Sequence, residues 1–332
     1  MPLQQYSSGT SPLIHYRLPR PPWAVSRTWV ALGLLLAGLA SPARAVTAAS
    51  DTIAVLFPDI GEPYRKVFTE MIDGVELQLG GKVRAIPVGA TAGADVQASL
   101  RRQGARTVIA LGRQGLKTAG ALDGSFGIVV GGISALPEPE RWRGISLAPD
   151  PVLLFSWLKT LVPGVRRVLV VHHPVHSQAI VRQAREAARG HGLELLAFEA
   201  TDLAAAVRGY HAAFAMLDGR RDALWLPQDS VTVDDNTILP MVLRESWNRG
   251  VPLFSSSVLH VRKGVLFALY PDNVALGRDL AVLAQAALLP DETARPGLQP
   301  LRAVRVAFNT RTASHLGLDV DSHQHPFDAI FP

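Results

Sequence analysis

The chain has 332 residues, 48% of them hydrophobic, enough for a sizeable core and too apolar for global disorder. It has no cysteine, which excludes disulfides, thiolate catalysis, cysteine-ligated zinc and a lipidated cysteine anchor. The formal charge of +5 comes mostly from the first 50 residues, which hold Arg17, Arg20, Arg27 and Arg44 and no acid; the remainder has 29 basic against 28 acidic residues and no polybasic footprint for nucleic acid.

Residues 1–28 are polar and basic, and 29–40 (WVALGLLLAGLA) carry no charge. Ala43-Arg44-Ala45 follows with small residues where a signal peptidase reads. Twelve residues rise only about 18 Å as a helix, against about 30 Å of hydrocarbon, so the run reads as a cleavable secretory signal (1–45) rather than an anchor. No later segment is long and apolar enough to span a bilayer. A periplasmic location is therefore expected.

The mature chain opens with a buried-strand pattern at 52–57 and a turn at 58–63. Val67, Met71, Val75 and Leu79 share one face, which predicts a helix over 64–79. Strands are predicted at 83–88, 107–111 and 126–130, with a helix at 93–103. These are four βα units, as expected of a doubly wound lobe. Residues 137–151 contain four prolines and read as a crossover. A helix at 152–161 precedes a second βα series with strands at 167–171, 193–198, 223–226, 251–254 and 264–269. Residues 290–300 read as a second proline-rich connector, and 303–308 as a last strand. The expectation is an α/β fold of two doubly wound parallel-sheet lobes joined by crossovers, since one sheet of ten strands would be unusual.

Apolar strand, polar turn and helix repeat most clearly over 222–288. The turns are Pro227-Gln228-Asp229-Ser230, Ser255-Ser256-Ser257 and Tyr270-Pro271-Asp272-Asn273. This stretch resembles the tryptophan/tyrosine-type substrate-binding proteins of bacterial ABC importers. The matching motifs are Pro227-Gln228-Asp229, Val251-Pro252-Leu253-Phe254-Ser255, Gly264-Val265-Leu266-Phe267-Ala268, Leu276-Gly277-Arg278 and the closing Asn309…Leu316-Gly317-Leu318. The resemblance implies a type I periplasmic-binding fold. It implies a first lobe of 46–147 plus 264–290, a second of 148–263 plus 301–320, and a tail over 321–332. In that fold the strand at 264–269 and its helix return to the first lobe. The resemblance also implies a small-molecule ligand held by hinge closure and an ABC permease in the inner membrane as partner.

In parallel sheets ligands sit beyond the carboxyl ends of the strands. On the first lobe these turns offer Asp59, Tyr64, Gly112, Arg113, Gly132 and Ser134; on the second, His173, Gln228, Asp229, Ser230, Ser255 and Ser256. Asp59, Ser134 and Ser230 are equally good helix caps. Asp229 occupies the family's aspartate and would pair with the ammonium of an α-amino acid, with Ser255 and Ser256 as donors and Tyr64 and Tyr270 as stacking surfaces. The first-lobe turns depart from the family pattern, so aromatic amino acid specificity does not carry over. Arg113 reads equally as a partner for a ligand carboxylate or phosphate and as an exposed arginine at a helix start.

His172, His173 and His176 cluster, as do His315, His323 and His325, without the helical spacing of a zinc site, so no metal and no cofactor are expected. No G-x-S-x-G, P-loop or dinucleotide fingerprint is present, and an enzyme is not expected. The expected function is solute binding for an importer; the alternative is a periplasmic sensor or accessory protein that transports nothing.

Overall fold

Strand and helix alternate along almost the whole chain of the computed structural model, which describes residues 53–89, 94–134, 141–288, 296–320 and 325–332. The expected signal segment lies outside the described residues. Residues 46–332 form one compact unit.

The first half runs β1 (Ile53–Pro58), α1 (Tyr64–Leu79), β2 (Arg84–Val88), α2 (Ala94–Arg102), β3 (Thr107–Leu111), α3 (Gly112–Gly120), β4 (Gly127–Ile133) and β5 (Arg143–Pro149). There follow α4 (Pro151–Leu161), β6 (Arg167–His172), α5 (Gln178–Gly190), β7 (Glu194–Glu199), α6 (Leu203–Met216), β8 (Asp222–Leu226) and α7 (Ile238–Arg249). The chain ends with β9 (Leu253–Ser255), α8 (Val258–Lys263), β10 (Phe267–Pro271), α9 (Asn273–Ala286), β11 (Gly297–Leu301), β12 (Val304–Asn309), α10 (Thr310–His315) and β13 (Ala329–Phe331).

Two sheets result. One is all parallel, in the order β11-β5-β4-β3-β1-β2. The other has the order β13-β12-β10-β9-β8-β6-β7 and is parallel except where β10 meets β12. Central strands are buried on both faces, which is why they read as continuous apolar runs. Alternate residues serve opposite cores. Val55, Ile109 and Val129 pack with α1 and α9, whereas Leu56, Val108 and Ala110 pack with α2 and α3. In the second lobe Val168, Val170, Trp225 and Phe254 pack with α4 and α5, and Leu169, Val171, Leu224 and Leu253 with α6 and α7.

Four expectations change. The strand expected at 264–269 does not return to the first lobe: β10 lies between β9 and β12 in the second sheet, with Phe267 and Leu269 in the core beside Phe254. Only α9 crosses back. It lies against α1 at two glycines, where a Cβ on Gly74 would come 2.0 Å from the Val274 carbonyl oxygen and one on Gly277 2.0 Å from that of Met71.

The proline-rich segment at 137–151 contains strand β5, whose only internal proline is its last residue. The connector at 290–300 contains β11, an edge strand whose register shifts between Gln299 and Leu301, and an edge or a bulge is where a strand accommodates Pro300. The expected tail supplies β13, which pairs with β12.

Candidate functional site

The chain passes between the sheets three times, from β5 to α4, from β10 to α9 and from β11 to β12. Each passage leaves from the carboxyl end of a strand, so the carboxyl edges of the two sheets adjoin. The Asp150 N–H donates to the Leu301 carbonyl (2.8 Å), extending β5 along β11, and the Asp272 N–H to that of Ala303 (3.0 Å), extending β10 along β12; Leu301 and Ala303 are two residues apart, so the ends of β5 and β10 are neighbours. The expected binding turns therefore line two adjoining edges.

On the first edge, the Arg65 guanidinium donates to Asp59 at 3.3 Å, with both side chains more than half exposed. Tyr64 opens α1 and is 69% exposed. Gly112 and Gly132 both have positive φ, +67° and +69°, and fold around the ring of Phe68; Cβ atoms there would come 3.1 and 3.2 Å from it. These two turns need glycine because the backbone enters the left-handed region and because the ring fills the space. Arg113 is exposed on the first turn of α3, with no ion-pair partner among the described residues. Ser134 sits just past β4, where its carbonyl accepts the Ser146 hydroxyl at 2.8 Å.

The second edge is tied together by buried side chains. Asp229 is 5% exposed. One of its oxygens accepts the His173 N–H (2.8 Å) and the Ser177 hydroxyl (2.8 Å); the other accepts the N–H groups of Val231 (3.0 Å) and Thr232 (3.3 Å). Burial pushes this carboxyl up, but those hydrogen bonds outweigh it and hold Asp229 below the usual carboxylate value. An ionised carboxylate has about four acceptor positions, and here all are taken from within the protein. Asp229 thus joins the turn after β6 to the turn after β8, and the expected ammonium pairing has no free oxygen. Gln228 and Ser230 flank it, exposed.

Ser255 is also turned inward. Its Oγ lies 2.7 Å from His260 Nδ1, and the Ser257 N–H donates to it at 3.3 Å. His260 Nε2 is 3.7 Å from Asp235, which also accepts from Lys263. The order serine, histidine, aspartate resembles a hydrolytic relay, yet Ser255 is 1% exposed and His260 9%. Burial holds His260 below its usual pKa despite Asp235, and the Ser255–His260 hydrogen bond fixes the turn. Ser256 is buried beside it. No sequence motif links His260 to Ser255; the signal is a five-residue spacing across a strand end.

His173 stacks on His176, ring centroids 4.2 Å apart, and its Nδ1 accepts the N–H groups of Val175 and His176. His172 is buried, and burial lowers its pKa. Among the described residues no group of three or more His, Asp or Glu side chains is placed to hold a metal. Tyr270 is the last residue but one of β10. It packs half-buried against Val261, Ala268 and Ala307, and burial with the Asp328 charge raises its pKa. The structure adds Phe68 and Ser177 to the site, both unremarkable in sequence.

Helix N-termini differ by position. Those of α4, α6, α9 and α10 are capped by the side chains of Asp150, Asp202, Asp272 and Asn309. Those of α1, α3, α5, α7 and α8 have no side-chain cap; Pro63 and Leu111 cannot supply one, and Ser177 is spent on Asp229. The positive ends of such helix dipoles suit an anionic group, though at α1 the Arg65 N–H is taken by the Gly61 carbonyl and at α5 Asp229 already supplies a carboxylate.

No family model matches the sequence, and no curated protein matches it. Solved structures do. A ligand-free, open substrate-binding protein with adhesive properties from Clostridium difficile matches with a TM-score of 0.58 and 15% identity over 84% of this chain and 98% of that one. A conserved domain protein from Vibrio cholerae matches at 0.53, with 15% identity over 84% and 98%. An ABC domain in complex with L-Trp from Streptococcus pneumoniae matches at 0.51, with 14% identity over 84% and 99%. No helix among the described residues is long and apolar enough to cross a membrane. Two parallel-sheet lobes, three passages across adjoining carboxyl edges and this structural likeness give the chain the type I periplasmic-binding-protein fold.

Proposed function

We propose that the chain is a periplasmic solute-binding protein that closes its two lobes on a small anionic ligand and presents it to an ABC permease in the inner membrane. The observation that carries this is that helix N-termini without side-chain caps lie on both adjoining edges: α1 and α3 in the first lobe, α5, α7 and α8 in the second. Arg113 adds an unpaired guanidinium at the start of α3. Contacts to both lobes favour the closed form, because only closure makes both sets at once.

The electrostatics narrow the ligand. Asp229 has no oxygen left for an ammonium, and Asp59 is shared with Arg65. A carboxylate without an ammonium fits this set better than an α-amino acid. His173, Gln228, Ser230 and Tyr64 would supply the remaining contacts. The reading involves no catalysis: Ser255, which has a histidine partner, is buried, and the similar structures include a substrate-binding protein and a complex with L-Trp.

Thermal unfolding of residues 46–332 against mono- and dicarboxylates, amino acids and sugars tests it. A ligand at a hundred times its dissociation constant adds about 2.7 kcal/mol, a rise of a few degrees. The reading expects a carboxylate hit that Arg113→Ala weakens at least tenfold. A sugar or amino acid hit unaffected by Arg113→Ala removes the anionic reading, and folded protein with no hit favours a sensor of protein partners.

A further inference from the structure

Two of the three passages between the lobes are built from one repeated motif. Residues 149–154 read Pro-Asp-Pro-Val-Leu-Leu and 271–276 read Pro-Asp-Asn-Val-Ala-Leu. Both follow topologically equivalent strands, the fifth of each sheet when β2 and β7 are counted as the first. Each aspartate uses one oxygen to cap the helix it enters: Asp150 accepts from the Val152 N–H at 2.9 Å, Asp272 from the Ala275 N–H at 3.0 Å.

The other oxygen of each goes to an arginine of the third passage. Arg302 donates to Asp150 Oδ2 at 2.8 Å, and Arg305 to Asp272 Oδ2 at 3.1 Å. The two arginines are separated only by Ala303 and Val304, and the same stretch receives the backbone bonds from Asp150 and Asp272 described above. Each aspartate is therefore bonded to both lobes. Asp150 caps α4 of the second lobe while its N–H hangs on Leu301, the last residue of β11 in the first sheet. Asp272 caps α9, which packs on the first lobe, while it holds Arg305 of β12 in the second sheet.

We propose that these two Asp–Arg clasps set the resting angle between the lobes. Each arginine can be removed without uncapping a helix or touching the binding edges, so the clasps control the conformational equilibrium separately from ligand contact. Their exposure differs in a useful way. The Arg302 side chain is 68% exposed over an Asp150 that is 8% exposed, and Arg305 is 49% exposed against 26% for Asp272. Salt reaches both pairs from the arginine side and should loosen them.

The inference rests on the lobes moving against each other, as the proposed function requires, but its test needs no ligand. The chain lacks cysteine, so Leu77→Cys on α1 and Met216→Cys on α6, both exposed, give one spin-label pair across the lobes. Distances are read by double electron–electron resonance in purified protein. Arg302→Ala with Arg305→Ala should at least double the width of the distance distribution or shift its centre. The unsubstituted clasps in 0.5 M salt should broaden it in the same direction, and this arm holds even if the double variant fails to fold. Arg249→Ala, which removes an exposed pair with Glu245 on α7, should leave the distribution as it was. An unchanged distribution in high salt and in the folded double variant overturns the proposal, as does equal broadening by Arg249→Ala. Either result leaves solute binding to be judged by the ligand screen alone.

Discussion

The two carboxyl edges are built by opposite means. The second is held by side chains turned inward: Asp229 gathers four donors from two turns, and His260 holds Ser255. The first is held by backbone shape: two left-handed glycines bend around Phe68, and the polar side chains Asp59, Arg65 and Arg113 stay in solvent. Polar residues at strand ends therefore do different jobs in the two lobes. The exposed ones of the first edge face solvent, where a ligand can reach them, and the buried ones of the second fix the shape of its turns.

Substitution should expose this contrast most sharply at the aspartates. Asp229→Ala leaves four donors without a partner and should cost about 3 kcal/mol or more in urea unfolding, whereas Asp59→Ala, in an exposed pair, should cost under about 0.5 kcal/mol. Equal effects would erase the distinction between the edges.

Acid should act through the same carboxylate. The folded-state pKa of Asp229 lies below its ordinary value, so its contribution is fully present above about pH 4 and is lost as pH falls through the lowered folded value. Asp229→Asn should flatten that part of a stability–pH curve. A curve that keeps its full acid slope in the variant would assign the slope to other carboxylates.

On the first edge Gly112→Ala should cost about 1–2 kcal/mol for the left-handed backbone alone. A Cβ there also meets Pro58 at 3.0 Å and Phe68 at 3.1 Å, so the loss should exceed that of Ala at Gly80, where φ is also positive but the surroundings are open. Similar midpoints for the two variants would mean that Phe68 yields freely. Ser255→Ala should remove about 1 kcal/mol, since it takes away one buried hydrogen bond and leaves His260 Nδ1 unpaired. Smallest of all, Arg113→Ala should stay within about 0.5 kcal/mol of the parent in stability, and a larger loss would show that the arginine is not free for a ligand.

Much of this architecture is legible in the residues themselves. Runs such as 107–111 and 223–226 are strands because they are buried on both faces, and the spacing of Met71 and Val75 marks the buried face of α1. Turns at strand ends follow from the same punctuation, which is why Asp59, Gly112, Gly132, His173 and Asp229 all lie at carboxyl edges. Proline density misled twice, at β5 and β11, because proline is tolerated at a strand's end and on an edge, and composition does not say which strand is an edge.

The sequence by itself determined the alternation of elements, the two-lobe division and the polar turns, since each depends on residues a few positions apart. Tertiary structure alone decided that β10 stays in the second sheet while α9 leaves it, that Asp229 is spent on Ser177 from 52 positions away, and that Arg302 reaches Asp150 across 152. Periodicity reports which face of an element is buried. Which partner buries it, and whether a polar group at the edge finds a donor inside or faces solvent, depends on contacts between distant parts of the chain.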